Sequence, residues 1–267
     1  MAGNQYLLNG AAANTVLNFG DGGYIEMADF SSGGSQFVAL NANIAMQGSN
    51  LTIRKTTGSG AVTQFLNLNM ASNPNLTGTL TIGSYIYLGV TAQATIGNVS
   101  SIVVQNNGTL TLGPSNATFN QAITAAGYAN AYGAIRILGS NVTLSGGITM
   151  TGDMGILTHS SNTGILISSA LTDGGGGYAF HRFSLTKNDG TLTLTAANTY
   201  SGKTVLGRNL AGYTGGITIL DFAATGAPVQ DILYNGVVTA GGLEFAGSPL
   251  ASALQLAPHS QWQGGDG

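Results

Sequence analysis

The side chains best suited to chemistry are Asp153, His159, Asp173, His181 and Arg182, the densest ionisable neighbourhood of the chain. Polysaccharide cleavage needs two carboxylates a few ångströms apart, one as acid and one as base or nucleophile. In a stacked repeat, residues one coil apart share a face, which makes Asp153 and either Asp173 or His181 the candidates to meet. Each aspartate adjoins a glycine, however, and a carboxylate in that position ordinarily bonds the amides of its own turn. The turn reading is preferred, with His159 and His181 solvated or bonded to backbone, and no catalytic residue is assigned.

Metal and cofactor chemistry fare no better. Asp173 is followed by four glycines and offers one carboxylate where calcium takes six to eight oxygens, and Asp21-Gly22-Gly23 is equally poor. The glycine runs are not read as phosphate loops, since no helix is expected for them to open. No metal and no cofactor is expected. Aromatic side chains remain: Tyr24, Tyr85, Tyr87, Tyr128, Tyr132, Tyr178, Tyr200, Tyr213 and Trp262 are expected at the surface. Stacking on sugar rings or on a partner is open to them, as are core capping and cross-coil stacking. Tyr85, Tyr87, Tyr128, Tyr132 and Tyr178 are the candidates for contact with a glycan or protein partner.

The elements that hold these residues follow from composition. Only 17 of 267 residues are Lys, Arg, Asp or Glu, a 6% charged fraction far below the roughly 25% of an average soluble domain. Such a chain covers its outside with Ser, Thr, Asn, Gln and Gly, which suit strands and turns and disfavour helix interiors. Forty-two glycines without a period of three point to frequent turns. The net charge of −3 and seven scattered basic residues provide no cationic stripe, so nucleic acid is not expected as a partner. No apolar run approaches the roughly 20 residues of a spanning helix, and membrane insertion of this segment is not expected. Met1 to Leu8 lack the basic-then-apolar pattern of a secretory signal. Cysteine is absent, which is compatible with export.

An internal repeat sets the architecture. Alternating apolar pairs recur at Ile25/Met27, Leu51/Ile53, Leu80/Ile82, Leu110/Leu112, Val142/Leu144, Ile165/Ile167, Leu192/Leu194, Ile217/Ile219 and Leu243/Phe245. Their first members are 26, 29, 30, 32, 23, 27, 25 and 26 residues apart. The residue between is usually threonine, so apolar and hydroxyl side chains alternate with the period of two that marks a half-buried strand. Shorter apolar stretches lie between the pairs, among them Phe37 to Leu40, Phe65 to Leu68, Tyr85 to Leu88, Ile102 to Val104 and Ile148 to Met150. A unit of two or three short strands cannot bury its own apolar face, but stacked units share one core. The expectation is all-β: a single parallel β-helix over residues 1–267, of about nine coils of ~25–30 residues. An antiparallel β-sandwich is the rival.

Asn-x-Ser/Thr triplets begin at Asn50, Asn75, Asn98, Asn107, Asn116 and Asn141. Asn50, Asn75, Asn107 and Asn141 lie at or just before the strand pairs. There asparagine tolerates the left-handed conformation of a turn, and this reading is preferred over glycosylation.

The stretch Gly190-Thr-Leu-Thr-Leu-Thr-Ala-Ala-Asn-Thr-Tyr-Ser-Gly-Lys-Thr204 closely resembles the passenger-associated transport repeat of bacterial autotransporters, also called the autotransporter-associated β-strand repeat. Gly190, Leu192, Leu194, Asn198, Tyr200 and Gly202 carry the motif. Upstream, Gly133 to Ile137, Leu144 to Met150, Gly164 to Ser168 and Leu171 to Gly177 look like the coils that precede that repeat. The likeness covers roughly residues 107–220. Lys203 stands where the family usually has glycine. The resemblance implies a right-handed parallel β-helix passenger, exported through an outer membrane and displayed at or beyond the cell surface, of which this chain reads as a fragment without signal peptide or translocator barrel.

Three function classes follow. A structural or adhesive surface protein, a non-catalytic scaffold or stalk with possible glycan or cell-surface protein partners, requires no catalytic group and is preferred. A filament subunit would self-associate through the open ends of the solenoid. A polysaccharide-active enzyme would gather two or three acids beside a basic residue in a groove.

Overall fold

The computed structural model describes residues 5–8, 15–27, 36–40, 44–56, 63–128, 130–159, 164–184, 191–196, 198–206, 217–221, 232–234 and 242–246. These contain strands and no α-helix; one short 3-10 turn covers Gln93–Thr95. In chain order the strands are β1 (Gln5–Leu8), β2 (Thr15–Asp21), β3 (Tyr24–Met27), β4 (Gln36–Leu40), β5 (Ile44–Lys55), β6 (Gln64–Leu68), β7 (Leu76–Ile82) and β8 (Ile86–Val90). Next come β9 (Ser101–Val104), β10 (Thr109–Leu112), β11 (Ala117–Phe119), β12 (Ala122–Gly127), β13 (Ile135–Ile137), β14 (Val142–Leu144), β15 (Ile148–Thr158) and β16 (Ile165–Ile167). The last are β17 (Leu171–Thr172), β18 (Phe180–Ser184), β19 (Thr191–Leu194), β20 (Thr204–Leu206), β21 (Ile217–Asp221), β22 (Ile232–Tyr234) and β23 (Gly242–Ala246).

Among the described residues every pairing between named strands is parallel, and each joins a strand to its counterpart one coil away, which makes the fold a β-solenoid and excludes the antiparallel sandwich. Three faces form. The first stacks β1, β4, β6, β8, β10, β13, the second half of β15, β18, β20 and β22. The second stacks β3, the second half of β5, the second half of β7, β9, β12, the first half of β15 and β17. The third stacks β11, β14, β16, β19, β21 and β23, about six turns. The coil count therefore differs slightly from nine. The recurring pairs do not mark one place in a coil: Leu51/Ile53 and Leu80/Ile82 belong to the second face, Leu110/Leu112 to the first, and Val142/Leu144 onward to the third. Short stretches such as Ile102 to Val104 supply the strands of the remaining faces.

Inside, like residues stack on like. Leu51, Leu80, Ile102, Ile123, Ile148 and Leu171 form one inward column in direct register, and all are buried. Burying each such side chain contributes about 1.5–3 kcal/mol relative to leaving it in water. Register slips by one near the end, where Leu192 and Leu194 face Thr218 and Leu220, so Ile217/Ile219 stands opposite Thr191 and Thr193.

The corners follow from chemistry legible in the sequence. Asn50, Asn107 and Asn141 adopt left-handed backbone with φ of 58°, 65° and 54°, as expected, and Asn116 joins them at 54°. Asn75 does not; it lies in a turn of ordinary hand. Asn50 binds both ways along the stack: its Nδ2 donates to Asp21 Oδ1 (2.7 Å), and its Oδ1 accepts the amide of Thr79 (3.0 Å). Gly78, above it, has φ +69°, and a Cβ there would stand 2.8 Å from Asn50 Oδ1, so glycine alone fits. A second corner is tied by buried amides. Asn73 accepts from the Met46 amide (2.8 Å) and donates to the Thr95 carbonyl (3.1 Å), while Gln121 donates to the Ile96 carbonyl (3.1 Å).

Candidate functional site

Asp173 closes β17 and turns the chain through Gly174 to Gly177. Its Oδ1 accepts the amide of Gly175 (2.9 Å), and its Oδ2 accepts the amides of Gly177 (2.9 Å) and Tyr178 (3.2 Å). The same Oδ2 accepts the amide and the hydroxyl of Ser201 one coil on, at 2.9 and 2.8 Å. Burial alone would raise its pKa, but the bonds from Ser201, Gly175 and Gly177 outweigh that and hold the carboxyl well below the usual range. Such a group has no proton to give as a general acid, and its Oδ2 is taken up by four donors.

The other carboxylates whose side chains are described also accept bonds from a neighbouring coil. Asp153 accepts the amide of Ala179 at 2.8 Å, 26 residues on. Asp21 accepts from the Ser49 hydroxyl (3.0 Å) and Asn50, and Glu26 pairs with Arg54 at 2.8 Å. All four are therefore ties between neighbouring coils. The turn role expected of both aspartates is found for Asp173, whereas Asp153 bonds the next coil and not the amides of its own turn.

Arg182 departs most from what its sequence position suggested. In β18 the side chains of Phe180 and Arg182 point inward, and Arg182 is 0% exposed, stacked in register between Ile156 and Leu206. It donates to Thr158 Oγ1 (2.7 Å) and to the carbonyl of Phe183, and burial pulls its guanidinium down to about 9. The period of two predicts this inward aim once Phe180 is placed inside, but a lone arginine reads as surface by default. His181, its outward neighbour, lies flat against the ring of Tyr128, with centroids 3.9 Å apart and planes at 4°.

The motif residues of the resembling stretch are structural. Leu192 and Leu194 are buried on β19. Asn198 Oδ1 accepts the Leu171 amide (3.0 Å), as Asn73 does for Met46. Tyr200 is 2% exposed and shares a hydrogen bond with Thr204 at 2.5 Å; burial pushes its hydroxyl above the usual phenol range, and the Thr204 bond opposes this. At Gly202 a Cβ would meet the Tyr178 carbonyl oxygen at 2.1 Å. Gly190 lies outside the described residues. Comparison of the chain with protein-family models, curated proteins and solved structures finds no match.

The aromatic candidates divide. On the outside of the first face Phe37 stacks on Phe65 (4.4 Å, 12°), Phe65 meets Tyr87 edge-on (5.0 Å), and Tyr87 meets Tyr132 (5.0 Å), over which Arg136 lies at 4.1 Å. Residues 130–133 are pinned over this column by Asn130, whose Nδ2 donates to the Gly108 carbonyl (3.2 Å) and Thr109 Oγ1 (3.1 Å). Tyr87 is consequently 6% exposed, and Tyr200 is inside the core, so neither is the surface aromatic expected. Tyr178 is half-buried against the core, and Tyr85 is half-buried at a corner with φ +61° beside Lys55. Tyr132 is half-buried; Tyr24 and Tyr128 remain exposed. Tyr213 and Trp262 lie outside the described residues.

Proposed function

We propose that this chain is a non-catalytic scaffold of a surface-displayed or extracellular protein of autotransporter type, working as a stalk or adhesive rod. The observation that carries the reading is the use of the carboxylates. Asp21, Glu26, Asp153 and Asp173 each hold one coil to the next, a structural use that ties up the oxygens a hydrolase or lyase would need. The likeness of residues 190–204 to the transport repeat supports export and display. Low charge and hydroxyl-covered strands suit a rod that presents many weak contacts and gains affinity through repetition.

The test is made on intact producing cells. External protease or antibody reaching the chain without lysis is the expected result; full protection until lysis contradicts surface display. The purified chain, incubated with a panel of acidic and neutral polysaccharides, is expected to release no reducing ends or unsaturated uronates. Turnover abolished by Asp153→Asn contradicts the scaffold reading.

A further inference from the structure

The second face carries an outward column that no role above absorbs. Thr52, Thr81, Val103, Thr124, Thr149 and Thr172 stand opposite one another in unbroken register on successive strands. Five of these six rungs present a threonine, at a repeat of about 4.8 Å, and valine keeps the same branched shape at the sixth. Branching at Cβ restricts χ1, so hydroxyl and methyl repeat in orientation from rung to rung. A parallel column beside it is short: Thr79, whose hydroxyl bonds that of Ser101 at 2.9 Å, then Ser101 and Ala122. From β7 onward the face is free of charge: β7, β9, β12, β17 and residues 148–151 contain no Lys, Arg, Asp or Glu and no aromatic side chain, whereas beside Thr52 Arg54 pairs with Glu26 and lies over Tyr24, the rung before Thr52.

A row of identical groups at one fixed repeat fits a partner that is itself periodic. Crystalline polysaccharide is recognised through aromatic platforms, which this stretch lacks. A second copy would call for exposed aromatic or apolar anchors, lacking here too. Ice is uncharged and offers donor and acceptor oxygens on a regular lattice. A charge-free surface matches it, because no ionic group holds a competing hydration shell, while the methyls fill the spaces between lattice waters. We propose that the second face, from Thr81 to Thr172, binds ice, the threonine hydroxyls joining the water lattice rung by rung.

The experiment uses the full chain: partitioning into a slowly grown ice hemisphere, and thermal hysteresis read as the gap between melting and freezing. The wild-type chain is expected to enter the ice and to open a gap. Thr124→Tyr and Thr149→Tyr, each raising a ring above the flat row, are expected to lose most of both effects while keeping the wild-type β-sheet circular dichroism. Leu166→Tyr, on the outside of the third face, is expected to keep them. Exclusion of the wild-type chain from ice overturns the proposal without need of any variant. So does full activity in folded Thr124→Tyr and Thr149→Tyr, or retention on crystalline chitin or cellulose by a chain that ice rejects.

Discussion

Asp173 and Ser201, 28 residues apart in the chain, are joined twice: one carboxylate oxygen accepts both the amide and the hydroxyl of the serine, at 2.9 and 2.8 Å. The relationship explains two stretches of sequence at once. The four glycines after Asp173 leave amides free to turn toward its carboxylate, and the Tyr-Ser-Gly of the resembling motif delivers Ser201 from the coil above.

Asp173→Asn is expected to cost about 2 kcal/mol at neutral pH, since bonds to an ionised acceptor are replaced by weaker ones and one amide is turned against donors. The native carboxyl titrates below its unfolded value of about 3.9, so its contribution is fully present above that pH and is lost as pH falls through the native pKa. Denaturant melts between neutral and acid pH check this: the difference between wild type and variant should shrink on acidification. An unchanged difference contradicts the tie.

Arg182→Met is expected to raise stability by about 1 kcal/mol or more, because a thioether of similar length fills the core without a charge to desolvate. Arg182→Ala is expected to lower it by about 2–4 kcal/mol through the cavity left in the core beside Ile156. Opposite signs in urea unfolding are the outcome to look for; two losses of equal size would mean that the charge itself supports the fold.

Much of this architecture was legible before any coordinates. Period-two alternation places Leu51, Leu80 and Leu192 on inward faces, and asparagine before a strand announces the left-handed corners at Asn50, Asn107 and Asn141. What escaped were matters of stacking. The faces to which successive pairs belong depend on how many residues each corner consumes, and local pattern does not carry that count. Tyr87 reads as exposed because it points outward; only the loop pinned by Asn130 covers it. Arg182 is inward because Phe180 is, a register fact that no rule about arginine supplies.

Gly202→Ala is expected to destabilise by several times more than Gly97→Ala. The first Cβ would stand 2.1 Å from the Tyr178 carbonyl oxygen, whereas the second finds its nearest neighbour, Ala94 Cα, at an ordinary 3.4 Å. Losses of about 3 kcal/mol and under about 1 kcal/mol are the expected sizes. Thermal or urea unfolding of the two variants side by side measures the contrast, and equal effects would remove the steric reason for glycine in the motif.

The stacking of parallel rungs in the stated register underlies every role assigned above, and the chain's lack of cysteine permits a clean measurement of it. Thr124 and Thr149 are register partners on adjacent coils, while Thr124 and Thr172 are two coils apart. With rungs about 4.8 Å apart, the first pair falls within disulfide reach and the second, near 10 Å, does not. Under mild oxidation the double variant Thr124→Cys/Thr149→Cys should form an intramolecular disulfide nearly to completion, and Thr124→Cys/Thr172→Cys should stay reduced. Free thiols in the first variant, or a ready bridge in the second, would contradict the parallel stack.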